Sequence, residues 1–525
     1  MDKIKISKVF FKENILPIVS AVVLATPFLF YSAGWLSLIC VLPFLYYLDY
    51  VSKNKSGKNY IFSIWAVGVI YFFVVVSWIL NTRPDNWAYI EGWQGGIGLL
   101  VIYLILVSIL SLQFLIFGLI YRKLKIQLFS KWSFVVLPAI WLVAEFLRSV
   151  LFSVISYGPN GSIGPFWNFG VLGFAAAVTP LGYLARIVGL YGLSFAVVAI
   201  NLAIFWLLNK RFKLPLIVLG TISVLTIVAV VAFANPKGSS ISIGAVQLPP
   251  TDDNSLTTQY QQQLKQDMQQ IGINNNSIDL LLLPEYSEFF TNDDGFAKDI
   301  TKQYLDNTGG IITSINGSDK EGGNSSNDLV VYSPDGDIVA RHEKQFLIPV
   351  GEYMPYIIAT LLRVTGQSQA LEINESTQTI KRGEHKEPTV NVGGRSIGAL
   401  ACSAAIAPEL YRSMVAQGAE VLTNSASLGT FTYAPLYHAQ SRQMARFDAI
   451  ANARPFIQAS TGAYSYFIDH NGEFTYRTTK TGLSFKELEI QTNTNLTWYS
   501  RFGEWVVFVS LILTTVLLVR AYTRK

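Results

Sequence analysis

The stretch SIGALACSAAIAPELYR, residues 396–412, sets a cysteine where an apolar strand gives way to a helix. Residues 396–401 are small and apolar and read as a buried strand. Pro408, Glu409 and Leu410 read as a first helical turn, where proline's missing N–H costs nothing. Cys402 is therefore expected near the carboxyl end of a strand, at the mouth of a sheet. Helix N-termini lower thiol pKa values, so the position predicts a cysteine that ionises more easily than one in mid-strand. A plain buried cysteine is the commoner occupant of such a place, and the rest of the chain has to decide.

Composition narrows the class. The chain has 525 residues, of which 51% are hydrophobic and only 14% charged, and its mean hydropathy is +0.36. A soluble protein carries roughly 25% charged residues, so this reads as a membrane protein bearing a soluble domain. Cys40 and Cys402 lie in segments of different character, so no disulfide framework or Cys-rich metal site follows, and no metal or cofactor is expected. The net charge of +5 is small for the length, and its basic residues follow membrane side, so no nucleic-acid partner is expected.

Apolar runs long enough to span lie at about 14–32, 34–50, 60–81, 96–121, 132–151, 188–208 and 214–234, with an eighth at about 503–521. The first is expected to stay as a signal anchor. The expected organisation is a membrane domain over 1–235 with seven helices, an α/β domain over 236–500, and a final span with its tail over 501–525. Clusters at Lys53, Lys55 and Lys58, at Arg122, Lys123, Lys125 and Lys131, at Lys210, Arg211 and Lys213, and at Arg520, Arg524 and Lys525 share the side of the basic amino-terminal arm. The positive-inside rule then puts both termini in the cytoplasm and the 236–500 domain outside. Residues 164–182 are apolar too, but their Gly and Pro content predicts a re-entrant or interfacial segment. Glu145 and Arg148 are three apart on one helix face, where they can pair with each other; alternatively Arg148 holds a lipid phosphate.

After Gly238 the texture becomes short strands and polar helices. Strands are expected at 241–246, 279–285, 310–315, 329–332, 338–344, 420–424 and 455–460, with turns at 334–337 and 470–472 and a Gln-rich helix at 258–273. Helices and strands interleave as in a layered α/β domain. Glu285 ends one strand, Lys344 follows another, and Cys402 ends a third. A cysteine attacking an acyl group needs a base, a cation for the oxyanion, and a backbone N–H aimed at the same oxygen. Glu285, Lys344 and the N–H of Ser403 can fill those roles.

The order and wording of these motifs resemble apolipoprotein N-acyltransferase, the membrane branch of the nitrilase, or carbon–nitrogen hydrolase, superfamily. The resemblance runs through LLLLPEYS with Glu285, KQFLIPVGEYMP with Lys344 and Glu352, the Cys402 strand with PEL behind it, and QMARFDAIANARPFIQAST at 443–461. It implies a polytopic helical membrane bundle of about eight spans carrying an extracytoplasmic nitrilase-like αββα four-layer sandwich. It also implies a Glu285–Lys344–Cys402 triad with Glu352 as a supporting carboxylate; beside this, the residues themselves offer the Ser403 N–H in support and Arg148 and Tyr353 as candidate lipid contacts. The implied reaction is ping-pong: a fatty acyl chain passes from a membrane phospholipid to Cys402, then to the N-terminal amine of a diacylglyceryl-cysteine lipoprotein. The implied location is a bacterial inner or plasma membrane.

The chain departs from the family pattern at Ser403 and Ala404, where Tyr and Glu are usual, at Ser425, Ser427 and Leu428 after Asn424, and at Leu248 and Pro249. Two other readings therefore stand beside the first. One is a membrane-tethered amidase or acyltransferase of the same superfamily with another acceptor; the other is a non-catalytic lipid- or protein-binding relative, against which the intact triad argues.

Overall fold

The computed structural model describes residues 11–82, 92–250, 278–285, 305–318, 325–366, 371–372, 379–383, 389–479 and 481–523, with three isolated positions besides. In chain order the membrane helices are α1 (Phe11–Phe28), a 3-10 stretch (Tyr31–Leu38) leading through a 46° bend into α2 (Leu42–Asn54), α3 (Gly57–Asn81), α4 (Gly95–Leu124), α5 (Ser133–Ile155), α6 (Pro180–Leu208) and α7 (Lys213–Ala232). A final apolar helix spans Trp505–Thr523, so the described residues hold seven helices long and apolar enough to cross a membrane, and up to eight with the bent pair. These helices are apolar on every side, as lipid demands. On α7, Leu216, Ile217, Val224, Ile227 and Val231 stay exposed on the outside of the bundle.

Two breaks in the helices are repaired by single side chains. Asn201 on α6 donates from Nδ2 to Ser37 O and accepts from Val41 N, both at 2.9 Å, so one amide satisfies the backbone on either side of the bend before α2. Within α6, Gly189 takes φ 71° and ψ −166°, which breaks the helical ladder. The freed N–H groups of Leu190 and Tyr191 donate to the two carboxylate oxygens of Glu504, at 2.7 and 3.2 Å. Water cannot take those roles in a bilayer, so the side chains must.

The segment at 164–182 is not a crossing. Before α6 opens at Pro180 it holds the short helix Leu172–Ala176, and it packs into the bundle beside α5. The pairing expected between Glu145 and Arg148 does not form. Glu145 Oε1 accepts instead from Trp141 Nε1 at 3.0 Å and from Leu172 N at 3.2 Å. Arg148 Nη1 donates to Trp167 O at 3.2 Å, and its guanidinium lies 5.2 Å from the Phe72 ring centre. Irregular backbone buried at this depth needs partners more than the two charges need each other.

The second half contains two sheets. The first runs β13-β1-β2-β3-β4-β5, made of β1 (Ser240–Gln247), β2 (Ile278–Glu285), β3 (Leu305–Ser318), β4 (Ser325–Tyr332), β5 (Ile338–Glu343) and β13 (Ser484–Gln491), with β6 (Ile380–Lys381) paired to β4. The second runs β12-β11-β10-β9-β8-β7, made of β7 (Val390–Val392), β8 (Arg395–Ala401), β9 (Val421–Ser427), β10 (Phe456–Thr461), β11 (Tyr466–Ile468) and β12 (Phe474–Arg477). Ile243, Leu280, Leu282, Ile312 and Val331 of the first sheet pack on Ile397, Ala399, Val421, Ile457 and Phe467 of the second. The amphipathic α8 (Tyr356–Val364) leaves Tyr356, Ile357, Leu361 and Val364 exposed. Helices α9 (Pro408–Ala416) and α10 (Pro435–Asn452) cover the second sheet's other face, where Tyr411, Met414 and Phe447 meet Leu400, Leu422 and Phe456. The Gln-rich helix expected at 258–273 lies outside the described residues.

Helix α10 is packed between that sheet and the bundle. Gln440 Nε2 donates to Val75 O, Gln443 Nε2 to Pro27 O, and Arg446 Nε to Ala177 O, each at 2.8 Å. Pro27 O and Ala177 O sit where a membrane element ends, and Val75 O where the α-helical part of α3 gives way to its 3-10 end, positions at which carbonyls run short of intrahelical partners. Arg186 of α6 answers from the other side, donating to Ile450 O, His470 O and Asn471 Oδ1.

Replacing Asn201 by Leu should orphan Ser37 O and Val41 N at a cost of about 1–3 kcal/mol each. The volume-conserving Leu202→Met beside it should cost less than about 1.5 kcal/mol. Thermal unfolding of both variants in detergent checks this, and equal midpoints would dismiss the repair.

Candidate active site

Strand alternation alone would turn Glu285 to the wrong face. Leu281 and Leu283 point to the outer side of the first sheet, and residue 285 shares their parity. The pairing of β2 with β3 slips, however, from Leu282 opposite Ile312 to Glu285 opposite Ser314, three residues against two. The slip falls at Pro284, which has no N–H to give the ladder. It swings Glu285 onto the inter-sheet face, as bulges beside active sites do.

Cys402 arrives on the same face from the second sheet. Ala401 is extended at φ −113°, Cys402 turns left-handed at φ 50°, and the 3-10 turn Cys402–Ile406 follows before α9. A non-glycine residue held there stores strain, and the reversal lifts Sγ off the strand end. Its Sγ donates to Ser427 O at 3.5 Å, and the N–H of the same Ser427 donates to Glu285 Oε2, so one residue of β9 links the thiol to the carboxylate.

Lys344 follows β5 and is buried to 3% exposure. Its Nζ lies 3.4 Å from Glu285 Oε1 and 2.7 Å from Glu352 Oε1. Glu352 Oε2 accepts the N–H of Ile348 at 2.8 Å, and Glu285 Oε2 accepts that of Ser427 at 3.1 Å. Burial pushes the Glu352 carboxyl up from its usual range, with Lys344 opposing. Burial also pushes the Cys402 thiol well above its ordinary value; the charges of Glu285 and Glu352 add to this and Lys344 works against it. The easy ionisation expected from a helix N-terminus is opposed first by burial and then by the charges of the two carboxylates, and α9 begins six residues on.

Glu285, Lys344, Glu352 and Cys402 come together. Ser403 follows the nucleophile, and its buried Oγ has no hydrogen-bond partner among the described residues. Tyr353 is buried, and its hydroxyl donates to Ser156 O at 2.9 Å, tying the segment after Lys344 to the end of α5. Arg148 lies deeper, beneath Trp167, whose ring meets that of Phe346 at 6.2 Å. Sequence reasoning missed Asn327, whose Nδ2 donates to Glu285 Oε1 at 2.5 Å, and Ser314, which donates to Asn327 Oδ1. The signal was available: both are polar residues on strands beyond β2 in the sheet, Ser314 on β3 and Asn327 on β4.

A cavity beside Cys402, with about 10 Å³ open to the centre of a water, is lined by Asn424, Leu428, Tyr437, Ser441, Gln458 and Tyr466 among others. It has room for one water and not for an acyl chain.

The model of the apolipoprotein N-acyltransferase N-terminal domain matches residues 20–203, and that of the carbon-nitrogen hydrolases matches residues 242–494. The chain belongs to the apolipoprotein N-acyltransferase family. Within it, the apolipoprotein N-acyltransferase of Shewanella oneidensis is 26% identical over 75% of each chain. That of Pasteurella multocida is 23% identical over 93% of this chain and 91% of its own. Among solved structures, a carbon-nitrogen hydrolase from Helicobacter pylori G27 aligns with 53% of this chain and 94% of its own, at 16% identity and a TM-score of 0.37. The family membership makes the chain an acyltransferase of a bacterial membrane.

Glu352→Gln removes one of the two negative charges that hold the thiol protonated. Alkylation of Cys402 by iodoacetamide, followed by mass spectrometry across pH 6–10, should therefore begin at a lower pH in the variant. An unchanged onset would mean that Glu352 does not govern the thiol.

Proposed function

We propose that this chain moves a fatty acyl group from a membrane phospholipid, through a thioester on Cys402, to the N-terminal amine of a diacylglyceryl-cysteine lipoprotein. The observation that carries the reading is the meeting of Cys402, Glu285 and Lys344 at the strand ends, on a domain packed against a membrane bundle. In the first half-reaction Glu285 takes the Cys402 proton as Sγ attacks the ester carbonyl. Lys344 and the Ser403 N–H hold the oxyanion. The lysophospholipid oxygen then leaves with the proton from Glu285.

In the second half-reaction the lipoprotein amine attacks the thioester, a carboxylate takes its proton, and the thiolate leaves and is reprotonated. Ser403 and Ala404 carry no acid, so Glu285 or Glu352 must serve the amine. The cavity beside Sγ is too small for the chain, which favours an acyl path towards the lipid side. The exposed apolar face of α8 would flank that path. Arg148, with Nε and Nη2 unpartnered among the described residues, would suit a donor phosphate if the segment at 164–170 shifts. Tyr353 would act through its hold on α5 rather than by a free hydroxyl.

For sidedness, the basic clusters favour an extracytoplasmic catalytic domain with both termini inside. Cysteine placed at Asp337 should then react with a membrane-impermeant maleimide on intact cells, and cysteine at Ser56 should not; the reverse pattern would invert the topology.

Mass spectrometry of protein purified with phospholipid should find an acyl adduct on Cys402, absent in Cys402→Ala. Lys344→Met should slow adduct formation by about 10²- to 10³-fold. Full turnover by Cys402→Ala would end the thioester mechanism.

A further inference from the structure

Glu285 ends β2 and stands opposite Ser314 on β3; Ser314 stands opposite Leu329 on β4, two residues from Asn327 and on the same face. The hydrogen bonds follow this row across the sheet. Ser314 Oγ donates to Asn327 Oδ1, which fixes the direction of the amide, so that Nδ2 is left to donate to Glu285 Oε1 at 2.5 Å. Asn327 has a second grip. Its backbone carbonyl accepts the N–H of Lys344 at 2.7 Å, extending the β4–β5 ladder by one step. One residue, fully buried, therefore holds both the acid and the cation of the site.

We infer, on the acyl-transfer reading above, that Asn327 is a positioning residue that, with the Ser427 N–H on the other oxygen, keeps Glu285 aimed at Cys402, with Ser314 setting its amide. The reasons are chemical. Glu285 was swung across the sheet by the slip at Pro284, so its own strand does not fix its direction. A carboxylate at a strand end has several rotamers, and a general base must be held in one. Lys344 alone does not do this, because its Nζ lies nearer to Glu352 than to Glu285. An amide donor also favours the charged form of its acceptor, the form that can take a proton. An aspartate at 327 would have the same shape but no donor, and it would set a second acid against Glu285. Ser314 acts one step further out: without its hydroxyl the amide can flip and present oxygen to oxygen.

The test uses the full-length chain in detergent with vesicles of phosphatidylethanolamine and phosphatidylglycerol, and follows single-turnover formation of acyl-Cys402 by mass spectrometry from pH 5 to 9. Asn327→Asp should raise the pH of half-maximal rate by about one unit or more. It should also slow acylation at pH 7 by about tenfold or more. Ser314→Ala should lose about threefold or more at pH 7, and Ser314→Thr, which restores the hydroxyl, should recover it. A merely structural role would lower the rate without moving the profile. Should Asn327→Asp fail to fold, the Ser314 pair decides. An unmoved profile, or a Ser314→Ala no slower than Ser314→Thr, overturns the positioning role while the unmodified chain still forms its adduct. If the unmodified chain forms none, the acyl-transfer reading itself has failed.

Discussion

A backbone polar group in hydrocarbon has no water to turn to, and much of this molecule follows from where helices stop under that constraint. The bend before α2, the break at Gly189 and the ends of α1 and α3 all expose N–H or C=O groups. Asn201 and Glu504 satisfy those inside the bundle. Gln440, Gln443 and Arg446 satisfy those at its rim, and all three lie on α10, the helix whose other side carries Tyr437, Ser441 and Met444 to the wall of the cavity beside Cys402. The bonds that complete the membrane domain are thus the same bonds that dock the α/β domain. On the proposed reaction, in which Cys402 would take an acyl group from the bilayer, that fixed relation sets the thiol's place against the membrane.

Much of this was legible in the residues. Seven of the eight apolar runs, the strand ending at Glu285, the turn at 334–337 between β4 and β5, and the junction at Cys402 stand where local pattern puts them, while the run at 34–50 is broken by a bend. What was not legible depends on distant partners or on one-residue slips. Alternation sends Glu285 outward, and only the missing N–H of Pro284 hints at the bulge that brings it back. Nothing near Asn201 announces Ser37 and Val41, which lie about 160 residues away in the chain. Helix spacing made Glu145 and Arg148 look like a pair, but the irregular segment at 164–172 claims both. The thiol was misjudged in the same way: a helix start is a local feature, whereas the approach of Glu352 is not.

The charge balance of the site explains why that misjudgement matters. One buried cation stands between two carboxylates, so ionising Cys402 would add a further negative charge to a site where burial already opposes it. Resting as a thiol, the cysteine is a poor target for oxidants and stray electrophiles, which attack the thiolate. The balance changes only when a carbonyl arrives. On the proposed reaction the proton would then pass to Glu285, neutralising its charge, and the new negative charge would appear on the substrate oxygen beside Lys344 rather than on sulfur. The net charge of the buried cluster is the same before and after, so the step avoids the cost of creating an extra buried anion. A preformed thiolate would meet that cost at rest. On the proposed reaction, holding the base in place therefore matters more than lowering the pKa of the nucleophile, and that is the role proposed for the row from Ser314 through Asn327 to Glu285.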